Sequence, residues 1–220
     1  MYKPDSENIK KYNFYANNKW NIPEIKGLRR IDKKVEFIGF NYAKTFERLT
    51  QTQCGIHFFL DDYQFNRLWN SPDKYIKLLS KFKYVLSPDF SLYLDYPKAM
   101  QIWKHYQKHW IGAYLELFGI KVIPTIGWSD EDSFKWCFVG EPKNSIVAVS
   151  SIGTQKSETS KTLFLNGYFE MIKQLNPSKV LFWGNIPEKL KNNTEIVPMG
   201  YIMDEKFKLM RKKQVNAGLK

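Results

Sequence analysis

Residues 119–154, GIKVIPTIGWSDEDSFKWCFVGEPKNSIVAVSSIGT, decide the fold. They contain two short apolar runs, residues 121–126 and 145–149, each followed by small or polar residues. Runs of this length, rich in Val and Ile and without strict alternation, suit strands buried on both faces of a parallel sheet. Working outward, the same grammar recurs. Residues 35–40 (VEFIGF), 55–60 (GIHFFL), 84–87 and 180–183 read as further strands, with a short seventh at 196–197. Between them lie helix-like segments: 43–53, a stretch to 81 broken at Ser71-Pro72, 97–118 and 158–175, and finally a basic helix over 204–213. The segment 97–118 has Pro97 in its first turn and Gly119 as its stop. Its apolar positions Ile102, Trp103, Tyr106, Trp110, Ile111, Tyr114, Leu115 and Phe118 recur at three and four, which predicts one buried face.

Six or seven strands separated by helices define an α/β fold with a mostly parallel sheet. It is either an incomplete, barrel-like array of βα units or a doubly wound sheet. The barrel-like form is favoured because polar clusters follow nearly every apolar run. At 220 residues the chain fits one α/β domain, residues 35–200, flanked by a basic arm (1–34) and a basic helix or tail (201–220). Tyr12, Phe14, Tyr15 and Trp20 in the arm predict docking on the body.

The net charge is +12. Residues 1–34 hold nine Lys/Arg against four acids, and residues 200–220 hold six against two, so the ends supply most of the excess. Basic ends on a folded body point to an anionic partner, with nucleic acid the foremost candidate. The contacting residues would be Lys26, Arg29, Arg30, Lys33 and Lys34, with Lys206, Lys208, Arg211, Lys212 and Lys213 at the other end. The excess is mostly Lys, which also fits a composition bias with no functional demand, and Lys is the poorer group for bidentate recognition. No apolar run reaches the roughly 18 residues a membrane helix needs. The opening residues carry no apolar secretory segment, so a cytoplasmic address is expected. Cys54 and Cys137 form no disulfide framework.

In parallel α/β folds the strand C-termini share one face, where ligands bind. The chain would bring Asn41, Asp61, Asp62, Asp89, Ser91, Thr125, Trp128, Asp130, Ser150, Ser151, Thr154, Trp183 and Asn185 there. Asp61, Asp89 and Asp130 are the candidate catalytic set, able to act as general acid and base or to hold a divalent metal. Set against this, an Asp after a strand most often caps the next helix, and Asp130 or Ser129 is placed to do so. The loop Ser150–Thr154 can offer N–H groups and hydroxyls to a phosphate, although it is no Walker loop. Trp128 and Trp183 can stack on a ring or simply fill the rim. His105 and His109, four apart, share a helix face, and Cys54-x-x-His57 lies elsewhere, so a zinc site is arithmetically available. Lys104 and Lys108 beside the pair disfavour a cation, and no activating partner marks either cysteine as a nucleophile.

Several of these segments together resemble one family. Phe40-Asn41-Tyr42, then Leu86-Ser87-Pro88-Asp89-Phe90-Ser91, Gly119-Ile120, Val122-Ile123-Pro124, Trp128, residues 145–150 (SIVAVS) and Gly184 resemble domain-of-unknown-function family 4417 of bacteria, phages and mobile elements. The likeness covers roughly residues 39–185 and lends no reaction and no catalytic residue. It implies a phage or mobile-element setting, where small basic proteins often serve DNA replication, partition or host takeover. Three readings follow. The first is a nucleic-acid-associated protein that also acts on a nucleotide or phosphodiester at the strand-end face. The second is a small-molecule enzyme using the strand-end carboxylates, and the third a non-catalytic protein that binds a host factor.

Overall fold

The computed structural model describes residue 14 and residues 16–32, 35–47, 53–191 and 196–201. Among the described residues there are eight strands: β1 (Glu36–Gly39), β2 (Gly55–His57), β3 (Tyr84–Leu86), β4 (Val122–Ile123), β5 (Ile146–Ser150), β6 (Lys179–Trp183), β7 (Ile196–Pro198) and β8 (Gly200–Tyr201). Five α-helices accompany them: α1 (Ala43–Glu47), α2 (Asn66–Asn70), α3 (Asp73–Leu79), α4 (Lys98–Leu117) and α5 (Glu158–Leu175). The break read at Ser71-Pro72 separates α2 from α3. The expected helix over 43–53 is described as far as Glu47, and the helix expected at 204–213 lies outside the described residues, as do Lys33, Lys34, Lys206, Lys208, Arg211, Lys212 and Lys213.

All strand pairs are parallel and form two sheets, ordered β4-β3-β2-β1-β8 and β5-β6-β7. At one seam an isolated parallel bridge joins Thr125 to Ala148, where the Ala148 N–H donates to the Pro124 carbonyl and the Ile126 N–H to the Ala148 carbonyl, both at 2.8 Å. At the other seam, residues 196–201 pair first with β6 and then, beyond Met199, with β1. Neither seam is a continuous ladder, so the described residues form no closed barrel. The strand order nonetheless follows the chain without the reversal that marks a doubly wound sheet. The described residues thus form a mixed α/β fold of two parallel sheets.

Alternation along β5 and β6 explains why their sequence reads as an unbroken apolar run. Ile146, Ala148 and Leu181 face a core shared with Phe37, Ile56, Val85 and Val122. Val147, Val149, Val180 and Phe182 face a second core closed by Phe164, Tyr168, Met171 and Leu175 of α5. With both faces apolar there is no place for a polar alternation. The helix α5 begins where Ser157 accepts the Ser160 N–H at 3.1 Å and ends at Asn176, whose φ of +45° closes the last turn.

The described part of the arm lies on the body, while Tyr12 and Tyr15 lie outside the described residues. Phe14 meets Trp110 edge-on at 5.5 Å, Ile22 and Ile25 are buried, and Leu28 forms an antiparallel bridge with Ile146. The Glu116 carboxylate receives the Lys26 and Gly27 N–H groups.

The buried face of α4 departs from the one its apolar spacing predicts. Trp103 and Phe118 are 45% and 49% exposed, whereas Gln101, His105, Gln107, Lys108 and His109 are buried with Trp110, Ile111 and Leu115. Residues 125–141 offer carbonyls and a carboxylate to His105, Lys108 and His109, and the Tyr93 and Tyr96 carbonyls receive Gln101, so these polar groups find partners inside.

Candidate functional site

The strand-end loops surround a cleft of about 910 Å³. That is ample for a small ligand. Its apolar walls include Phe59, Phe90, Leu92, Trp128, Phe164 and Trp183, while Asp61, Asp89, Ser91, Ser129, Ser150, Thr154 and Lys156 supply polar groups. Two of these walls are braced from behind. Phe59 and Trp183 stack on each other at 5.8 Å, and His57, at the end of β2, packs against both, with centroids at 6.0 and 4.6 Å. Trp128 lies against Phe164 at 5.3 Å and over Gly167, where a Cβ would fall 2.1 Å from Nε1. Only a glycine admits the indole there.

Asp89 is the notable titratable group of the cleft. It follows β3 in the loop that carries Phe90 and Ser91, and its side chain has no hydrogen bond to other described residues. Burial pushes its carboxyl up to about 7; Lys108 opposes that rise and Asp62 adds to it. A carboxyl poised there exchanges protons readily at neutral pH. Its loop is pinned by Asp62, which accepts the Ser91 N–H at 3.1 Å, the Ser91 hydroxyl at 2.9 Å and the Lys104 ammonium at 2.9 Å.

The structure gathers only part of the residue set expected at the strand-end face. Asp61, Asp89, Ser91, Trp128, Ser150, Thr154 and Trp183 line the cleft, whereas Asn41, Asp62, Thr125, Asp130, Ser151 and Asn185 do not. Asp130 caps the short turn Glu131–Lys135 by accepting the Ser133 N–H at 3.0 Å, so the three-carboxylate set reduces to Asp61 and Asp89. Thr125 is a buried tie whose hydroxyl donates to the Ser87 carbonyl at 2.8 Å. Ser151 donates to the Asn185 carbonyl at 2.8 Å and Thr154 to the Ser151 carbonyl at 2.8 Å, so these two hydroxyls hold their own loop together. Asn41 sits in the turn Phe40–Tyr42, with its Oδ1 buried beside Gly39. Lys26, Arg29 and Arg30 are exposed on the arm. The cysteines are unsuited to nucleophilic work, since burial pushes Cys54 up to about 11 and Cys137 up to about 12.

Sequence reasoning missed a second polar cluster beneath α4. Lys108 Nζ donates to Glu141 Oε1 at 2.5 Å and to the Thr125 carbonyl at 2.9 Å; His109 Nε2 meets the same Oε1 at 3.0 Å. Burial alone would raise Glu141, but Lys108 and His109 hold it below the ordinary range. Burial drives His109 down and His105 well down, keeping both rings neutral. The available signal was a run of polar residues, Gln107-Lys108-His109, in a helix too apolar overall to be solvated on that side.

Among the described residues no helix is long and apolar enough to cross a membrane. The chain is 37% identical over 164 residues to the Gene 1 protein of Mycobacterium phage L5, covering 74% of this chain and 72% of that one. It is 32% identical over 173 residues to the Gene 1 protein of Mycobacterium phage D29, covering 79% of this chain and 63% of the relative, less than two thirds of its length. No solved structure gives a significant match. The model for Domain of unknown function (DUF4417) matches residues 14–200, which extends the likeness beyond residues 39–185 into the docked arm. The chain belongs to the DUF4417 family.

Proposed function

We propose that the strand-end cleft binds a small ring-bearing molecule and that Asp89 transfers a proton to or from it. The observation that carries this reading is a carboxyl raised to about 7 within an aromatic-walled cleft at the C-terminal ends of parallel strands. Trp128, Trp183 and Phe59 offer faces for a ring, and Asp61 offers a second carboxylate at the mouth. If a divalent ion assists, Asp61 and Asp89 are its ligands. A panel of nucleosides, nucleotides and aromatic metabolites tests the reading through thermal shift and quenching of tryptophan fluorescence. A true ligand quenches the wild type, loses the signal in Trp183→Ala, and binds Asp89→Asn with an altered pH profile. Ligands that leave the fluorescence unchanged and bind Asp89→Asn with the wild-type pH profile, or no binding across the panel, would sink it.

A second reading is that the chain engages nucleic acid through its basic ends, in a phage or mobile-element setting such as DNA replication. The net charge of +12, concentrated at the termini, favours it, as do exposed Lys26, Arg29 and Arg30. Binding to single- and double-stranded DNA across a salt series would weaken steeply with salt and soften in Arg29→Ala/Arg30→Ala. Absence of binding at low salt rejects this reading and leaves a host protein as the alternative partner of the ends.

A further inference from the structure

We propose that the strand-end cleft selects a ring-bearing organic cation, an amine or an amidine, over neutral and anionic rings, a preference that rests on the cleft reading above. The chain as a whole carries +12, so most of its surface draws anions. The cleft has the opposite sign. Its described lining brings in the carboxyl groups of Asp61, Asp89 and Asp95, and Lys156 is the one cation among them.

What marks these three acids is that none is paired. Elsewhere the excess of lysine holds the acids, with Lys104 on Asp62 at 2.9 Å, Lys98 on Asp132 at 2.5 Å, Lys108 on Glu141 at 2.5 Å and Lys173 on Glu170 at 3.2 Å. Among the described residues Asp61, Asp89 and Asp95 have no such partner, and Asp61 meets only the neutral Gln64 amide at 3.5 Å. Ser129 adds an independent sign of a missing ligand. It is 3% exposed and lines the same cleft, and its buried Oγ has no hydrogen-bond partner. An N–H donor from a ligand would satisfy it.

The walls agree with the charge. Trp128, Trp183 and Phe59 present ring faces, which attract a cation as well as stack on a ring. A metal dication fits less well, because the three carboxyl groups do not close into a group of metal-ligand spacing. An ammonium or amidinium spreads its charge over several N–H donors and needs no such closure. Asp89, pushed up to about 7, has Lys108 of α4 and Asp62 of the loop after β2 as the charged groups acting on it. A bound cation favours its ionised form, so binding releases a proton and strengthens as pH rises through 7.

The probes are benzamidinium, benzamide and benzoate, one ring with a cationic, a neutral and an anionic head, each titrated calorimetrically into the full chain. At pH 8 benzamidinium should bind about tenfold or more tighter than benzamide, with benzoate weakest. Its affinity should rise about tenfold from pH 6 to pH 8, following the ionised fraction of a group near 7, while that of benzamide stays flat. Asp89→Asn should remove this pH dependence and cost about tenfold at pH 8 while keeping benzamide binding, and exposed Asp95→Asn should cost about threefold. Benzamide or benzoate binding as tightly as benzamidinium overturns the charge preference and leaves the cleft reading standing. So does a benzamidinium affinity unchanged in Asp89→Asn at pH 8, or silence from all three probes in a chain that still binds a ring of the wider panel. Silence across that panel as well sinks both.

Discussion

Asp89 and Glu141 are two carboxyls that both feel Lys108, yet they shift in opposite directions. Glu141 receives the ammonium at 2.5 Å and the His109 ring at 3.0 Å and stays ionised below its ordinary range. Asp89 feels the same lysine only through space, has Asp62 as a like-charged neighbour, and rises to about 7. Burial opposes the charge in both. What separates them is whether a cation donates directly to the carboxylate oxygen. The cluster under α4 thus stores a charge, whereas the cleft keeps a proton ready to move.

The largest effect expected is with acid. The three buried histidines are neutral in the folded chain, His57 being pulled down to about 4 by burial and His105 and His109 also lowered from 6.5. Below pH 6.5 the unfolded chain takes up protons that the folded one refuses, so stability falls as pH drops. Asp89 acts oppositely, because between 3.8 and about 7 the folded chain holds its proton more tightly than the unfolded one. The balance of three against one predicts a net loss of stability as pH falls from 6.5 to 4, measured by urea unfolding at each pH. A flat profile would mean that the rings are not buried neutral.

Next in size is Glu141→Leu, which strands the buried Lys108 ammonium and should cost about 3–5 kcal/mol in urea unfolding. Adding Lys108→Met should recover most of that loss. If the double variant is no better than the single, the charge pair is not what holds α4 to the segment at 139–141. Asp89→Asn should do the reverse of Glu141→Leu. At pH 8 it removes a carboxylate ionised against its surroundings and should stabilise by about 1–3 kcal/mol, a gain that fades as pH falls towards 4. Destabilisation at pH 8 would mean that Asp89 has a structural partner. The smallest effect is Ser157→Ala, which removes the N-cap of α5 outside both clusters and should cost about 1 kcal/mol with no change in the pH profile.

Much of the frame was legible beforehand. The strand at 145–149, the helix at 158–175, the break at Ser71-Pro72 and the placing of Asp89 after β3 all follow from local pattern. Asp130 was legible both as a catalytic acid and as a cap, and only the Ser133 N–H pointing at its oxygen decides for the cap. The face of α4 was misread because apolar spacing treats Lys108 and His109 as solvent-bound. Their partners stand 17 to 33 residues away, in a segment whose Glu141 looks like an ordinary turn acid.

The sequence by itself determined the first seven strand segments and the long helices at 97–118 and 158–175, because period, caps and breakers act over a turn or a few residues. It also determined that polar groups follow the strands, since a parallel array gathers their ends on one side. Tertiary structure alone decided which buried charges meet. Solvation of a charge depends on what stands within a few ångströms of it, and for Lys108 that is a carboxylate brought in from another loop, while for Asp89 it is an aromatic wall.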